Sequence, residues 1–333
     1  MHITPAKGAN RPFTIAWPFF HHALGHCFNF LFFIQSQSFY HLQTFRFVKI
    51  RIEILEQCDD KVVVVNPPLP PASTDETDAV FDLPFMYAPH PRYDKKGDIP
   101  AWEMIKFSVN IHRGCFGGCS FCAIAAHQGK FVSSRSEGSV MREVERVSRM
   151  EGFRGYLSDL GGPSANMYGM AGRNTGRCEK CARPSCIWPS VCDNLETSHR
   201  DLTVLYRKVN NLPYIKKAFV GSGVRYDLLM KDYNEKAGRD EEQYLRELIV
   251  NHTSGRLKVA PEHTDDEVLY LMRKTPFRHF RRLRERFLGI IKSHGLRFEL
   301  IPYFISAHPG TSEKKMGELA RELSDLGMHP EQV

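Results

Sequence analysis

Short apolar runs alternate with longer amphipathic segments five times between residues 102 and 326. The runs have the length of strands, whereas the segments space their apolar residues three and four positions apart, as helices do. This alternation predicts an α/β fold in which helices cover a set of parallel strands. The predicted helices are 139–150, 199–211, 240–252, 279–293 and 312–326.

Each apolar run gives way to glycines or polar side chains at the point where the predicted strand ends. In a (β/α) barrel, the C-terminal ends of the strands form the rim that carries the chemistry. Glycine and proline also mark ordinary turns, but five such ends in register favour a functional rim. The five ends are Arg113-Gly114-Cys115, Gly161-Gly162-Pro163, Gly221-Ser222-Gly223, Pro261-Glu262-His263 and His308-Pro309-Gly310.

The chain divides into three predicted regions. Residues 1–58 form an atypical hydrophobic N-terminal extension, 59–101 a proline-rich lead-in, and 102–333 a partial TIM-like barrel with a cysteine-rich insertion at 174–195. The chain stops at "HPEQV", where a sixth strand should start, and five parallel strands leave an open sheet edge. We therefore expect a barrel that is truncated before its last strand.

Cysteine spacing, net charge and the composition of residues 1–58 indicate which kind of protein this is. Seven of the nine cysteines fall in two tight runs, which are too closely spaced for a disulfide framework and favour a reduced, metal-binding, cytoplasmic protein. The net charge of +7 permits an acidic partner without arguing strongly for one. The phenylalanine-rich part of 1–58 contains histidines and prolines, so a membrane partner is not expected. A non-native extension is favoured there over a membrane anchor or a hydrophobic sub-domain.

The first cysteine run directly follows the first predicted strand. Cys115, Cys119 and Cys122 have the spacing C-x3-C-x2-C, and Gly117 and Gly118 give the backbone between them unusual freedom. Thiolates are soft ligands that suit iron–sulfur clusters or zinc, and structural zinc usually takes four ligands in pairs. Three thiolates leave one iron of a cubane cluster free for an exchangeable ligand. Phe121 can lie over such a site.

This spacing, with an aromatic residue before the third cysteine, resembles the signature of the radical S-adenosylmethionine (SAM) enzymes. "DLGGPSANMYG" is similar to the family's glycine motif, which implies that Gly161, Gly162 and Pro163 meet the amino group of SAM. "APEHTDDEVLYLMRKTPFRHF" is similar to a segment of radical SAM methylthiotransferases. The overall resemblance, over roughly residues 61–333, is to the YgiQ-type uncharacterised subfamily. Residues 1–58 do not resemble its N-terminal region.

The resemblance implies a radical SAM barrel and two cofactors, a [4Fe-4S] cluster and SAM. One-electron reduction would cleave SAM to methionine and a 5'-deoxyadenosyl radical, which abstracts hydrogen from a substrate that the sequence does not identify: RNA, protein or a small molecule. A reductant such as flavodoxin or ferredoxin is the implied partner. Phe121 at the cluster, and Ser222, Arg225, Glu262 and His308 after later strands, are further candidate cofactor contacts. No catalytic side chain is predicted.

The second cysteine run lies inside the insertion. Cys178, Cys181, Cys186 and Cys192 are spaced C-x2-C-x4-C-x5-C, and four unligated thiols so close together would invite oxidation. Zinc favours paired C-x2-C knuckles, and only the first pair conforms. A second iron–sulfur cluster is therefore favoured, with zinc as the alternative.

Two other functions remain open from the sequence. The missing barrel end is compatible with a non-catalytic or truncated iron–sulfur protein. The cysteine-rich insertion and the arginine-rich run 273–287 are compatible with a zinc-stabilised nucleic-acid-binding module. That run also follows helical spacing, which favours the solvated face of an outer helix.

Overall fold

A computed structural model of the chain describes residues 54–58, 61–65, 69–230 and 235–328. Most of the predicted N-terminal extension and the last five residues therefore lie outside the described part. The strands are β1 (Ile54–Cys58), β2 (Lys61–Val65), β3 (Ser108–Asn110), β4 (His112–Arg113), β5 (Ser133–Ser134), β6 (Tyr156–Leu157), β7 (Asp159–Gly161), β8 (Lys217–Ala218), β9 (Arg256–Glu262) and β10 (Glu299–Phe304). The helices are α1 (Thr74–Phe81), α2 (Pro100–Ile105), α3 (Ile124–His127), α4 (Glu137–Ser148), α5 (Thr175–Glu179), α6 (Arg200–Asn210), α7 (Glu235–His252), α8 (Asp266–Leu271), α9 (Arg278–Ser293) and α10 (Glu313–Asp325).

The predicted strands pair in parallel with their neighbours in the chain. β3 pairs with β7, β6 with β8, and β9 with β10. A parallel bridge between Val224 and Val259 links the third predicted strand region to the fourth. This order confirms the α/β class with short parallel sheets. The described residues do not form a closed barrel, and the expected truncation remains a prediction.

The first predicted strand is shorter than expected. The sequence "MIKFSVNIH", residues 104–112, predicts an extended strand throughout, but Met104 and Ile105 end helix α2 instead. Pro100 occupies the first turn of that helix, where its fixed φ favours helical geometry and its missing N–H costs nothing. Only residues from Ser108 onward join the parallel sheet.

The helices bury the apolar faces that their spacing predicts. In α4, which starts where Ser136 accepts a hydrogen bond from the Ser139 N–H, the valines at 140, 144 and 147 are buried. The same holds for α9, in which Phe280, Leu283, Phe287 and Ile290 are buried. Each such side chain contributes about 1.5–3 kcal/mol on burial. The helix layer therefore fixes the sheet from outside.

The polar face of α9 is paired within the protein. Arg281 forms an ion pair with Glu322 at 2.6 Å, and Arg284 donates to the carbonyl oxygen of Leu326 at 2.8 Å. Arg286 pairs with Glu242 of α7. These partners favour the interpretation of 273–287 as an outer helix face. None of the helices in the described ranges combines the length and apolar character that crossing a bilayer requires.

Candidate cofactor site

The first cysteine loop leaves the sheet at the end of β4. The Cys115 N–H donates to the carbonyl oxygen of Gly129 at 3.2 Å, which ties the start of the loop to the segment beyond α3. Gly114 has φ +86°, and a side-chain carbon there would overlap the carbonyl oxygen of Phe131. Only glycine fits this turn, because both its backbone angle and its surroundings exclude a Cβ. Cys119 is buried, whereas Cys115 and Cys122 are half-buried.

The three thiols lie within electrostatic reach of one another. Burial raises the pKa of Cys115, the Arg225 guanidinium lowers it, and the Cys119 and Cys122 thiols raise it further. Burial likewise raises the pKa of Cys122, with an opposing backbone hydrogen bond from Ile124 and a further increase from Cys119. The loop therefore gathers its three sulfurs into one group, in which a negative charge on one sulfur opposes deprotonation of Cys115 and Cys122 and the Arg225 cation favours it.

The described residues include no set of three Cys, His, Asp or Glu side chains that converges on a single metal ion. A cubane cluster distributes its ligands over separate irons, so its thiolates need only surround a shared volume. The donor chemistry and the grouping of the first three thiols fit a cluster of this kind.

Arg225 supplies the positive charge. Its Nη1 donates to Cys119 Sγ at 3.2 Å, and its Nε donates to Asp227 Oδ1 at 3.1 Å. Burial acts to lower the pKa of Arg225, but Asp227 and the cysteine thiols raise it well above its usual value. A Cβ on Gly117 would stand 2.6 Å from Nη1, so the loop backbone closes around the guanidinium. A guanidinium cannot ligate iron; it can stabilise thiolates or bind a carboxylate.

The glycine pair lies at the end of β7, beside the loop. A Cβ on Gly161 would stand 2.7 Å from both Asp159 Oδ1 and Ser222 Oγ, and a Cβ on Gly162 would stand 2.5 Å from His112 Cε1. Side chains are therefore excluded at both positions. The Gly161 carbonyl accepts from the Ile111 N–H at 2.8 Å, which fixes the pair against the first strand. Pro163 follows, half-buried.

His112 was not among the predicted site residues. It is fully buried under Gly162, and neither ring nitrogen has a hydrogen-bond partner of good geometry. Burial lowers the pKa of His112 to about 4, against a smaller opposing effect of the Ser164 backbone. A histidine directly after the apolar Ile111, three positions before Cys115, was the signal that could have identified it.

Two polar residues that were not predicted hold two of the predicted site residues in place. Asn166 is fully buried and grips the backbone of Arg225, accepting from its N–H at 2.8 Å and donating to its carbonyl at 3.0 Å. Asp159 accepts from the N–H groups of Gly221 and Ser222 at 2.8 and 3.1 Å and from the Ser222 hydroxyl. Ser222 therefore faces Asp159, a partner that the sequence prediction did not include. Asn166 stands within the quoted motif "DLGGPSANMYG", which was the available signal.

The segment after α8 docks on the cysteine loop. The Ser120 N–H donates to the Met272 carbonyl at 3.1 Å, and Arg273 Nη1 donates to the Gly118 carbonyl at 3.2 Å. Arg273 has φ +56°, so the chain turns sharply where it meets the loop. The segment that resembles methylthiotransferases thus forms one side of the site.

The remaining predicted contacts fall in two places. Glu262, at the end of β9, is buried with φ +71°, 3.5 Å from Lys274 Nζ, and its charge acts on Cys122. His308 follows β10, and its ring lies at right angles to that of Phe121, 6.3 Å between centroids. Phe121 is 41 % exposed, so it does not seal the loop. Glu262 thus adjoins the thiols, while Phe121 and His308 form an exposed rim.

The second cysteine run forms its own group next to the first. Burial raises the pKa of Cys186 to about 12, Lys130 lowers it, and the other three thiols of the run raise it. Asn194 Nδ2 donates to Cys178 Sγ at 3.2 Å, and Lys130 Nζ donates to Cys181 Sγ at 3.6 Å. The Cys192 thiol donates to Asp193 at 3.7 Å. All seven cysteines of the two runs are free thiols.

Comparison with known proteins identifies the family. The family model described as radical SAM N-terminal matches residues 33–108. UPF0313 proteins from Porphyromonas gingivalis and Bacteroides thetaiotaomicron are each 54 % identical, over 87 % and 90 % of this chain. The chain belongs to the radical SAM superfamily. A third UPF0313 protein, from Bradyrhizobium diazoefficiens, is 46 % identical over 84 % of the chain.

These radical SAM relatives confirm the resemblance to an uncharacterised, YgiQ-type subfamily. The chain spans 47 %, 48 % and 40 % of the three relatives, so it covers about half their length or less. The family match starts at residue 33. The expectation that residues 1–58 do not resemble the family was therefore wrong for 33–58, because unusual composition was taken as a sign of unrelated sequence.

Proposed function

We propose that this chain binds a [4Fe-4S] cluster through Cys115, Cys119 and Cys122 and cleaves SAM reductively. The observation that carries the proposal is the grouping of three thiols at a strand end, with a buried arginine as their charged neighbour. When bound, the cluster and SAM supply one-electron cleavage of a carbon–sulfur bond to methionine and a 5'-deoxyadenosyl radical, which abstracts hydrogen from the substrate.

The protein's own residues bind and orient the two cofactors and exclude water from the site. The side-chain-free backbone of Gly161 and Gly162, continued by Pro163, leaves carbonyl oxygens that can accept hydrogen bonds from the SAM amino group. Arg225 donates to Cys119 Sγ and carries a charge that can bind the SAM carboxylate, while Asn166 fixes its backbone. The neutral imidazole of His112 supports Gly162 from below.

We assign the residues at the outside of the site to contacts with SAM and to the entry of the substrate. Asp159 accepts from both the N–H and the hydroxyl of Ser222, so the carbonyl oxygen of Ser222 is the group that can accept a hydrogen bond from the SAM ribose. Glu262 adjoins Cys122 and balances the cationic side of the site, and Phe121 and His308 form the rim that a substrate crosses. We expect the five parallel strand regions to belong to a partial barrel, whose rim loops carry this site.

The partners follow from the chemistry. The reaction consumes one electron, so we expect a small cytoplasmic reductant such as flavodoxin or ferredoxin. The substrate is RNA, a protein side chain or a small molecule. We assign the second cysteine group to a further iron–sulfur cluster, with zinc as the alternative, because only its first pair of thiols has the C-x2-C spacing that zinc favours.

Anaerobic reconstitution with iron and sulfide tests the proposal. The protein should turn brown and release 5'-deoxyadenosine from SAM under dithionite. Cys119→Ala should abolish this product, whereas Cys58→Ala, which changes a cysteine outside both runs, should not. Deuterium transfer from candidate substrates into 5'-deoxyadenosine would then identify the substrate.

Two other results would replace the proposal. A brown protein that binds its cluster but leaves SAM intact would be a non-catalytic iron–sulfur protein. A colourless protein with stoichiometric zinc would support the nucleic-acid-binding module instead.

A further inference from the structure

The cysteine-rich insertion has almost no regular structure of its own. Across 174–195 the structure contains only the five-residue helix α5, and one isolated bridge joins Gly172 to Leu195. A segment of this length without a ladder or a long helix cannot order itself through backbone hydrogen bonds alone. Its order must come from what it packs against and from what its thiols hold.

Its main backbone partner is the first cysteine loop. The carbonyl oxygen of Phe116 accepts from the Cys186 N–H at 3.0 Å and from the Ser185 hydroxyl at 3.1 Å. Phe116 directly follows Cys115 and is almost fully buried. One hydrogen bond thus joins the residue beside a thiol of the first run to a cysteine of the second.

A second contact joins the two backbones directly. Gly118 has φ +55°, and a Cβ on it would overlap the carbonyl oxygen of Pro184. Neither backbone atom can move aside as a flexible side chain could. The loop between Cys115 and Cys119 therefore takes its shape against the insertion.

A buried cation ties both groups together. Lys130 is 1 % exposed, and its Nζ donates to the Arg183 carbonyl at 2.8 Å as well as to Cys181 Sγ. The preceding residue, Gly129, accepts the hydrogen bond from the Cys115 N–H. The two-residue segment 129–130 thus holds the start of the first loop with its backbone and the insertion with its side chain.

The two regions also share an apolar core. Cys186 is buried in it, and Cys115 and Cys192 pack against it from either side. The buried members of this core are Phe116, Met167, Met170, Cys186, Ile187, Leu195 and Leu228. Because residues of both cysteine runs belong to one small core, disorder in one region removes packing from the other.

We propose that a thiophilic metal centre bound by Cys178, Cys181, Cys186 and Cys192 is a precondition for cluster binding by the first loop. Metal closes the insertion into a loop and so offsets the entropy of ordering it. The ordered insertion then holds Phe116, Gly118 and the 129–130 segment in place. This inference rests on the proposed function for what the first loop binds.

The two regions support each other through these contacts, but the insertion keeps more local support of its own than the first loop does. The first loop takes two hydrogen bonds at Phe116 and a backbone packing surface from the insertion. The insertion keeps its own four thiols, the Asn194–Cys178 hydrogen bond and the Lys130–Arg183 hydrogen bond when the first site is empty. The second site therefore fills first, and the first site fills only on that support.

Four variants of the reconstituted chain test this order: Cys181→Ser, Ser185→Ala, Cys119→Ser and the control Cys58→Ser. Only a cluster with an open iron can respond to SAM, so a SAM-induced change in the EPR spectrum of the reduced protein reports the first site alone. Amide hydrogen exchange across 114–122 reports the order of the loop. Iron, sulfide and zinc analysis reports the second site and separates a cluster from zinc.

We expect Cys181→Ser to lose the SAM-induced EPR change and the exchange protection of 114–122. Ser185→Ala removes no metal ligand. It removes the hydrogen bond to the Phe116 carbonyl and the two that the hydroxyl accepts from the N–H groups of Ile187 and Trp188, so it should speed that exchange about fivefold. Cys119→Ser should lose the EPR change but keep the metal and the protection of the insertion. Cys58→Ser should match the unmodified chain.

Three results would overturn the inference. They are a SAM response of normal size in Cys181→Ser, loss of the second metal in Cys119→Ser, or an insertion that binds neither zinc nor iron. Absence of a SAM response in the unmodified chain would instead refute the proposed function. In that case amide hydrogen exchange across 114–122 would still test the inference, because Cys181→Ser should exchange faster there than the unmodified, metal-loaded chain.

Discussion

Each of the two cysteine regions carries an arginine–aspartate pair, and the two pairs lie in opposite environments. Arg225 and Asp227, beside the first run, are buried, with side chains only 10 % and 8 % exposed. Arg177 and Asp193, in the insertion, are 58 % and 77 % exposed. The same chemical pair is thus part of the site in one region and part of the solvated surface in the other.

The polar partners of the two regions also come from different distances along the chain. Arg225 is gripped by Asn166, 59 residues away, and reaches Cys119, 106 residues away. In the insertion, Asn194 bonds to Cys178 only 16 residues away. The first site therefore depends on the assembled sheet, whereas the second combines a local partner with Lys130, which reaches Cys181 from 51 residues away.

The buried pair should give the largest effect on stability. Arg225→Gln leaves Asp227 buried without its cation, which costs about 3–5 kcal/mol of unfolding free energy. Urea unfolding of the metal-free protein measures this loss. In the double variant Arg225→Gln/Asp227→Asn much of it should return, because no charge is left buried; a double variant no more stable than the single one would contradict this account.

The contact between the regions should give the next largest effect. Gly118→Ala combines a left-handed backbone with an overlap on the Pro184 carbonyl, for a loss of about 3 kcal/mol. Gly176→Ala is the matched control within the insertion, because its Cβ would meet only Asn174 Oδ1 at 3.4 Å. In helix α5 this change should be neutral or slightly stabilising. Equal losses in the two variants would show that the regions do not touch as described.

The helix faces could be predicted from the sequence because burial repeats with the helical period. Val140, Val144 and Val147 needed only local spacing to be placed. The strand lengths could not be predicted: β10 shifts register between Pro302 and Phe304, an irregularity that depends on its neighbour β9. Local pattern thus gives the elements and their order, while strand ends depend on cross-strand pairing.

The same division applies to the site. Spacing selected both cysteine groups as candidates, and the strand-end pattern with the family resemblance selected the glycine pair, because metal ligands and tight turns are local requirements. His112, Asn166 and Asp159 were missed because each acts through a backbone or ring contact with a distant strand. Arg225 was selected for the cofactor, but its pairing with Asp227 and Cys119 appears only in three dimensions.

The stability of the first region should also depend on pH through His112, with a smaller effect than those of the Arg225 and Gly118 variants. The folded pKa of His112 is about 4, below its ordinary 6.5, so the unfolded chain binds the proton more readily. The contribution of His112 to the unfolding free energy is fully present above pH 6.5. It is lost as the pH falls towards 4, by about 2 kcal/mol at pH 5. His112→Gln should remove this part of the decline in urea unfolding of the metal-free protein. An unchanged difference between pH 8 and pH 5 would contradict the assignment.

The smallest effect belongs to the exposed pair of the insertion. Arg177 lowers the pKa of Asp193 through a hydrogen bond, but both side chains remain in water, where ions screen the attraction and the ordering of two side chains offsets it. Arg177→Ala should therefore leave the urea midpoint unchanged within error, at low and at high salt. A loss in the metal-loaded protein comparable to that of Arg225→Gln would mean that this pair is buried when the insertion binds metal. The contrast between the two regions would then hold only for the metal-free chain.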